Sequence, residues 1–160
     1  MRVTLIRHGE AGDDAPDDES RALTVRGRTD TRRVGRALAR RGARFSLIVS
    51  SPLVRAVQTA EIVAATLEYR KRIMVTDLLT PDAPPARAAA FLAGLSGERS
   101  VALVAHEPIL STLAAALLRV PRHPPLRKSE ALRLRLPDGG DGRAVARWRI
   151  DPDTGHRQRL

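Results

Sequence analysis

The segment VTLIRHG, residues 3–9, is a short apolar run that leads directly into Arg-His-Gly. Such a run is typical of a buried strand that carries polar side chains to the loop at its end. A second run of this kind, VALVAH at residues 101–106, also ends at a histidine. Because parallel sheets bind ligands at the carboxyl ends of their strands, we expect His8 and His106 to meet at one edge of a sheet.

The segments between these two runs alternate helical and strand patterns. Thr24 is expected to cap a helix that stops at Gly42. Ser51 is expected to cap the next helix, with Pro52 at its first position. Further strands are predicted at residues 47–49 and 73–75, and further helices at residues 87–95 and 109–118.

Near the end of the chain, leucine and arginine alternate in the manner of a strand with one buried face. Leucines at positions 132, 134 and 136 alternate with Arg133 and Arg135. A glycine-rich turn at residues 138–142 then leads to a second apolar segment at residues 145–150. These two segments are predicted to form a hairpin of edge strands.

Together the elements predict an α/β fold, a three-layer sandwich in which a mostly parallel central sheet has helices on both faces. A chain of 160 residues with 42% hydrophobic residues is the size of one domain with its own core. No internal repeat or linker divides it. We therefore expect a single domain over residues 1–160.

The composition excludes some classes of protein. The chain has no cysteine, which rules out a disulfide framework and a thiolate metal site. It opens without the apolar region of a signal peptide and contains no apolar run of membrane length. These features predict a cytoplasmic protein that does not bind membranes, and they leave its oligomeric state open.

The formal net charge of +10 raises the question of an acidic partner. Almost all of the positive charge is arginine, since Lys71 and Lys128 are the only lysines, and it is spread along the chain. Only four residues are aromatic, so the stacking platforms of single-strand binders are missing. We therefore expect no nucleic-acid partner, although a positive stripe remote from His8 would revive that alternative.

The residues at the predicted strand ends suit phosphoryl transfer. A neutral imidazole attacks phosphorus when one ring nitrogen faces the phosphoryl group and the other is held, and His8 beside Gly9 could meet this need. Arg7 and Arg55 could bind phosphoryl oxygens through their planar guanidinium groups, with His106 as a fourth donor. Taken singly, each residue is more often an ordinary polar loop or surface residue. Three predicted strand ends that each offer a phosphate-binding group together indicate a phosphoryl-transfer site.

Four collinear motifs cover most of the first two-thirds of the chain: RHGEA at 7–11, LTVRG at 23–27, SSPLVRAVQTA at 50–60 and VAHEP at 104–108. They resemble, in turn, the Arg-His-Gly signature, the Leu-Thr-x-x-Gly element, the Ser-Ser-Pro-x-x-Arg-Ala-x-Gln-Thr-Ala element and the second-histidine segment of the histidine phosphatase superfamily. That superfamily also contains the cofactor-dependent phosphoglycerate mutases.

The resemblance implies a phosphatase that forms a covalent phosphohistidine at His8. It implies that Arg7, Arg55 and His106 complete the phosphate pocket, and that neither a metal nor a cofactor takes part. Gly9, Arg21 and Glu107 are implied as further substrate-binding residues.

Within the superfamily, the short chain and the segments SRALT at 20–24 and LTP at 79–81 look most like the SixA type. Phosphatases of this type remove phosphate from phosphohistidine in signalling proteins. The resemblance therefore implies a phosphohistidine-bearing protein, or a small phosphorylated molecule, as the partner.

The chain departs from the wider family in its proton donor. Many members carry an acidic donor between the third strand and the next helix, but here that short region offers only Asp77 and Asp82. Glu107, after the second histidine, is a third candidate. An alkoxide leaving group needs a proton in the transition state, whereas imidazole is a much better leaving group. The lack of an obvious donor favours a phosphoramidate substrate and an uncapped pocket that a histidine of another protein could enter.

Two alternatives stay open from the sequence. The first is a small-molecule phosphomonoesterase on the same fold, which a convincing carboxylate donor near His8 would favour. The second is a non-catalytic phosphate- or phosphohistidine-binding module, which the intact set of arginines and histidines argues against. The acidic segment at residues 13–19 has no assigned role.

Overall fold

The structure is a computed structural model that describes residues 1–95, 97–137 and 142–160. Its elements, in chain order, are β1 (Arg2–Arg7), α1 (Val25–Arg40), β2 (Leu47–Ser50), α2 (Val54–Thr66), β3 (Met74–Val75), a short 3-10 helix (Asp77–Leu79), α3 (Pro85–Gly94), β4 (Ser100–Ala105), α4 (Ile109–Leu118), β5 (Ala131–Arg135), β6 (Val145–Ile150) and β7 (Arg157–Arg159).

These strands form one sheet in the order β3-β2-β4-β1-β5-β6-β7. The first four strands in that order run parallel, and β5, β6 and β7 continue the sheet in antiparallel pairs. The chain returns after β3 to place β4 between β2 and β1, so the strand order reverses there. A reversal of this kind opens a crevice at the carboxyl ends of the strands.

Helices cover both faces of the sheet, so the predicted three-layer α/β sandwich is confirmed. Side chains alternate along β1: Val3 and Leu5 pack in the core under α3 and α4, whereas Ile6 packs in the core under α1 and α2. β4 is buried along its whole length because both of its faces are covered. Within the described ranges, no helix is long and apolar enough to cross a membrane.

The helix predicted from Thr24 to Gly42 is α1. The Thr24 hydroxyl oxygen accepts a hydrogen bond from the Gly27 N–H at 3.0 Å, which satisfies a free donor of the first turn. Arg41 caps the other end, and Gly42 follows with a φ of 65°, a conformation that glycine adopts without strain. Local signals therefore set both ends of this helix.

The prediction that Ser51 caps α2, with Pro52 at its first helical position, is wrong. α2 begins at Val54 after Leu53, and no side chain caps it. Ser51 is fully buried, and its hydroxyl lies 2.8 Å from the imidazole of His106. The Ser51 side chain, which the local sequence pattern assigns to the helix cap, thus bonds instead to His106 at the end of another strand.

β5 and β6 pair antiparallel as predicted, but the expectation that both are edge strands is wrong. β5 lies between β1 and β6, and β7, which the sequence pattern did not predict, follows β6 at the edge. Arg133 on β5 is consequently buried, at 7% exposed, because neighbouring strands flank it on both sides. The turn predicted at residues 138–142 falls largely on residues 138–141, which lie outside the described residues.

Candidate active site

The carboxyl ends of β1, β2 and β4 bring the predicted phosphate-binding residues together. The His8 N–H donates to the Ala105 carbonyl at 2.9 Å, and the Ser51 N–H donates to the Val104 carbonyl at 3.0 Å. The loops after these strands therefore leave the sheet side by side. The ring centroids of His8 and His106 are 4.8 Å apart with an interplanar angle of 52°.

One hydrogen bond fixes the tautomer of His8. Its Nδ1 lies 2.7 Å from the carbonyl oxygen of Gly9. A carbonyl oxygen can only accept, so Nδ1 carries the ring proton and the lone pair of Nε2 is free. The side chain is also buried, which holds the ring in one orientation. This is the state that a nucleophilic imidazole requires.

Both imidazoles are neutral at physiological pH. Burial lowers the pKa of His8 to about 4, against the opposing hydrogen bond to Gly9, and the charges of Arg55 and Arg7 lower it further. Burial also lowers the pKa of His106 to about 3, followed by the effects of His8 and the same two arginines. Since protonation of His8 would occupy the free lone pair of Nε2, its low pKa keeps that lone pair available.

We expect NMR to show both imidazoles neutral from pH 8 down to about 5, well below the ordinary histidine pKa of about 6.5. His8 should display the tautomer with the proton on Nδ1, because Gly9 accepts that proton. The measurement is a pH titration of ring ¹⁵N shifts, with His8→Ala and His106→Ala spectra to assign the signals. A His8 ring that gains a proton near pH 6.5 would contradict this description of the site.

The loop after β1 is held to α2 and packed against α1. The Gly9 N–H donates to Thr59 Oγ1 at 3.0 Å, and the Thr59 hydroxyl donates to the Arg55 carbonyl at 2.7 Å. A Cβ on Gly9 would lie 2.8 Å from Thr31 Oγ1, so only glycine fits. Gly9, which was expected to bind substrate, has its N–H bound to Thr59 and its carbonyl bound to His8.

Arg7 and Glu107 are joined through Leu126. The Arg7 guanidinium donates to the Leu126 carbonyl at 2.7 Å. Glu107 Oε1 accepts from the Leu126 N–H at 2.8 Å, and its Oε2 accepts from the Ser111 N–H and hydroxyl at 3.2 and 2.5 Å. Both carboxylate oxygens of Glu107 are thus engaged in holding the Leu126 segment to α4. Because Arg7 donates to the carbonyl of the same Leu126, Glu107 helps to position the Arg7 guanidinium.

Asp18, in the acidic segment at residues 13–19, binds Arg55. The buried Arg55 guanidinium donates to the Asp18 carbonyl at 2.5 Å and to its Oδ2 at 2.8 Å. Asp18 Oδ1 accepts from Arg21 at 3.0 Å, and Arg21 also pairs with Asp13 at 2.8 Å. Arg21 therefore reaches the site through Asp18. Hydrogen bonds from Arg55 and Arg21 hold the pKa of Asp18 below its ordinary value, so this carboxyl is an anion and not a proton donor.

Two buried polar atoms beside His8 have no partner among the residues that the structure describes. They are Nδ1 of His106 and Nε of Arg7. Buried polar atoms normally form hydrogen bonds. His106 Nε2 pairs with the Ser51 hydroxyl at 2.8 Å, so its Nδ1 is the ring atom left to bind a ligand. Both atoms could bind the oxygens of a phosphoryl group attached to His8.

Asp77 and Asp82 lie apart from these contacts. Both are exposed, one in the short 3-10 helix and the other in the turn that follows it. Neither side chain forms a hydrogen bond or ion pair with another described residue. Across the same three ranges, no three histidine, aspartate or glutamate side chains group closely enough to hold a metal ion.

Sequence reasoning missed several residues that position the site. Ser51 orients His106, Thr59 holds Gly9, and the Gln58 side-chain oxygen accepts from the Leu23 N–H at 2.8 Å. The signal was present in the SSPLVRAVQTA motif, in which Ser51, Gln58 and Thr59 each bond to a distant segment. No sequence signal marked Asp18 in its acidic segment.

An imidazole with a free lone pair, a second buried histidine and two arginines at one sheet edge define a phosphoryl-transfer site. The model of the Histidine phosphatase superfamily (branch 1) matches residues 3–79. A relative of known class is also 30% identical over 95% of the chain, so the chain belongs to this superfamily.

The chain is 30% identical to the Phosphohistidine phosphatase SixA of Escherichia coli (strain K12), over 95% of this chain and 94% of that protein. The solved structure of the protein histidine phosphatase SixA complexed with tungstate has a TM-score of 0.90 and 29% identity, and the match covers 96% of this chain and 98% of that chain. The resemblance to the SixA type is thereby confirmed. The alpha-ribazole phosphatase of Shigella flexneri shares the fold, at 19% identity and a TM-score of 0.75, over 92% and 95% of the two chains.

Proposed function

We propose that the chain is a phosphohistidine phosphatase that works through a covalent phosphohistidine at His8. The observation that carries the proposal is the hydrogen bond from Nδ1 of His8 to the Gly9 carbonyl, which leaves Nε2 unprotonated beside a second histidine. The similarity to a phosphohistidine phosphatase along nearly the whole chain supports the same reaction.

In the first step, Nε2 of His8 attacks phosphorus, and the bond from phosphorus to the substrate nitrogen breaks. The leaving imidazole takes the bonding pair and departs neutral, because its other ring nitrogen carries a proton. Arg7 and Arg55 bind the phosphoryl oxygens and offset their charge. His106 donates from Nδ1 in the tautomer in which its Nε2 accepts from the Ser51 hydroxyl.

In the second step, water attacks phosphorus and the bond from phosphorus to Nε2 of His8 breaks. The bonding pair returns to Nε2, and the protons of the water remain on the phosphate or pass to solvent. Nδ1 keeps its proton against the Gly9 carbonyl throughout, so the ring is ready for another turnover.

The leaving group decides which substrates are hydrolysed. The side chains of Asp77 and Asp82 form no hydrogen bond or ion pair with a described residue of the site, and the carboxylate of Glu107 is engaged by Leu126 and Ser111. With no carboxyl group placed to protonate an alkoxide, a small-molecule phosphomonoesterase activity is disfavoured. The substrate is then a phosphohistidine carried by a protein. We propose that this protein is a signalling protein of the cytoplasm.

We expect the purified protein to hydrolyse a phosphohistidine-bearing protein efficiently, aryl phosphates less well and alkyl phosphates poorly. Asp77→Asn, Asp82→Asn and Glu107→Gln should each change phosphohistidine turnover by less than about tenfold, because a true general acid contributes about a hundredfold or more. The measurement is kcat/KM for each substrate with each variant. A hundredfold loss at one of these positions would identify a proton donor and favour the monoesterase.

Asp18 competes with phosphate for Arg55, because its carboxylate occupies the guanidinium that phosphoryl oxygens need. Asp18→Asn removes this negative charge, so inorganic phosphate should inhibit the variant at a concentration lower by about three- to tenfold. Asp17→Asn is the matched control, since Asp17 bonds to Ser20 within the same segment and makes no contact with Arg55. Weaker inhibition of Asp18→Asn would show that Asp18 instead holds Arg55 in its binding position.

A further inference from the structure

A cavity of about 580 Å³ lies at the end of the sheet opposite the histidines. Eight arginines line it, and none of its described lining residues is an aspartate or glutamate. They come from β1, from the connection after α1 and from β5, β6 and β7. Arg2 begins β1 and His8 follows the end of that strand, so the cavity is separate from the phosphoryl-transfer site.

Sheet pairing places the arginines side by side. Arg2 pairs with Arg135 across β1 and β5, and Trp148 on β6 pairs with Arg133 on one side and Arg159 on the other. Paired residues in a sheet point to the same face, so these side chains form one continuous surface. The residues just beyond α1 close the cavity from the helix side.

Arg133 is the residue of the cavity that most strongly indicates an anion-binding site. It is 7% exposed, its guanidinium lies over the rings of Phe45 and Trp148 at 5.7 and 5.1 Å, and its Nε has no hydrogen-bond partner within the described ranges. Burial, together with the charge of Arg2, lowers its pKa to about 10, so it remains a cation at physiological pH. Burial of a cation costs free energy, which the two aromatic rings offset in part and a counter-charge would offset further.

Nothing in the described part of the chain supplies that counter-charge. None of the eight arginines forms an ion pair with a carboxylate there, although arginines elsewhere pair with Asp13, Asp18, Asp30 and Asp151. Like charges concentrated in one concave surface repel each other and raise the local concentration of anions. The cavity is therefore built to hold several negative charges.

We propose that this cavity binds a compact polyanion of the oligophosphate class, meaning inorganic tripolyphosphate or the triphosphate chain of a nucleotide. Guanidinium groups bind phosphate oxygens in pairs of parallel hydrogen bonds, and several phosphates are needed to offset this many arginines. The volume lies within the range of small-molecule sites, about 300–1,000 Å³. A nucleic-acid duplex would fit an exposed stripe of positive charge better than it fits this concave surface. The site is independent of the proposed phosphatase activity.

Trp148 provides the test, because it is the one tryptophan of the chain and it lines the cavity. Inorganic tripolyphosphate is titrated into the protein while Trp148 fluorescence is followed. We expect a saturable change, and we expect the double variant Arg135→Gln/Arg159→Gln to weaken binding by about tenfold or more. Both arginines are exposed, so the core is untouched, and a thermal melt checks the fold.

The matched control is Arg32→Gln/Arg36→Gln, which removes the same charge from two exposed arginines of α1 outside the cavity. It should leave the affinity within about twofold. Arg7→Ala should leave the Trp148 response unchanged, because the catalytic pocket is a different site. A nucleoside triphosphate that competes at lower concentration than tripolyphosphate identifies the nucleotide as the ligand, and equal competition identifies free oligophosphate.

Three results would overturn the proposal. The first is no saturable fluorescence change, and the second is an equal loss of affinity in both double variants, which would reveal diffuse charge attraction. The third is tighter binding of a DNA duplex than of tripolyphosphate at equal phosphate concentration, which would assign the arginines to nucleic acid.

Discussion

His8→Ala is expected to lower phosphohistidine turnover by a factor of about 10³ or more while the protein stays folded. The substitution removes the atom that forms the bond to phosphorus, and no neighbouring group can replace its lone pair. The side chain makes one hydrogen bond, to the next carbonyl, so its loss does little to the fold. Turnover is measured with a ³²P-labelled phosphohistidine protein, and transient labelling of the wild-type chain should disappear in the variant.

His123→Ala is the matched control for this experiment. The Nδ1 of His123 also lies 2.7 Å from the carbonyl oxygen of the residue that follows it, Pro124, but His123 makes no contact with the site. Its removal should leave turnover unchanged. Full activity of His8→Ala, or ³²P that remains on its chain, would show that another residue accepts the phosphoryl group.

Arg7→Ala is expected to lower kcat/KM by about 10²- to 10³-fold. The Arg7 guanidinium lies close enough to both histidines for its charge to lower their pKa values, and one of its N–H groups is anchored on Leu126. It is therefore held in place before substrate binds, which makes its charge effective in the transition state. Arg7→Lys should recover only part of the loss, because an ammonium group lacks the planar fork.

Arg33→Ala serves as the control for Arg7. Arg33, on α1, also donates to a backbone carbonyl at 2.7 Å, the carbonyl of Pro152. Its guanidinium forms no hydrogen bond with a described residue of the phosphate pocket. Its substitution should change stability more than kcat/KM. Steady-state kinetics on both variants make the comparison, and a loss below about fivefold for Arg7→Ala would remove Arg7 from the phosphate pocket.

Much of the fold follows from local signals. The apolar runs before His8 and His106 predicted the two central strands, because a strand that is buried on both faces has a continuous apolar sequence. The Thr24 cap and Gly42 marked the ends of α1 for equally local reasons. β7 was not predicted because a strand of three polar residues has no apolar pattern.

By itself the sequence determined the strand ends that hold His8, His106 and the two arginines, since motif and periodicity are properties of neighbouring residues. Which atoms of those residues are free to bind a ligand depends on contacts that form in the folded chain. The Gly9 carbonyl sets the tautomer of His8, Asp18 occupies Arg55, and β1 and β6 flank β5 so that Arg133 is a buried residue. Except for the His8 contact, these outcomes depend on partners far away in the chain. Their hydrogen bonds, burial and charge exist only once the sheet has brought those partners into contact.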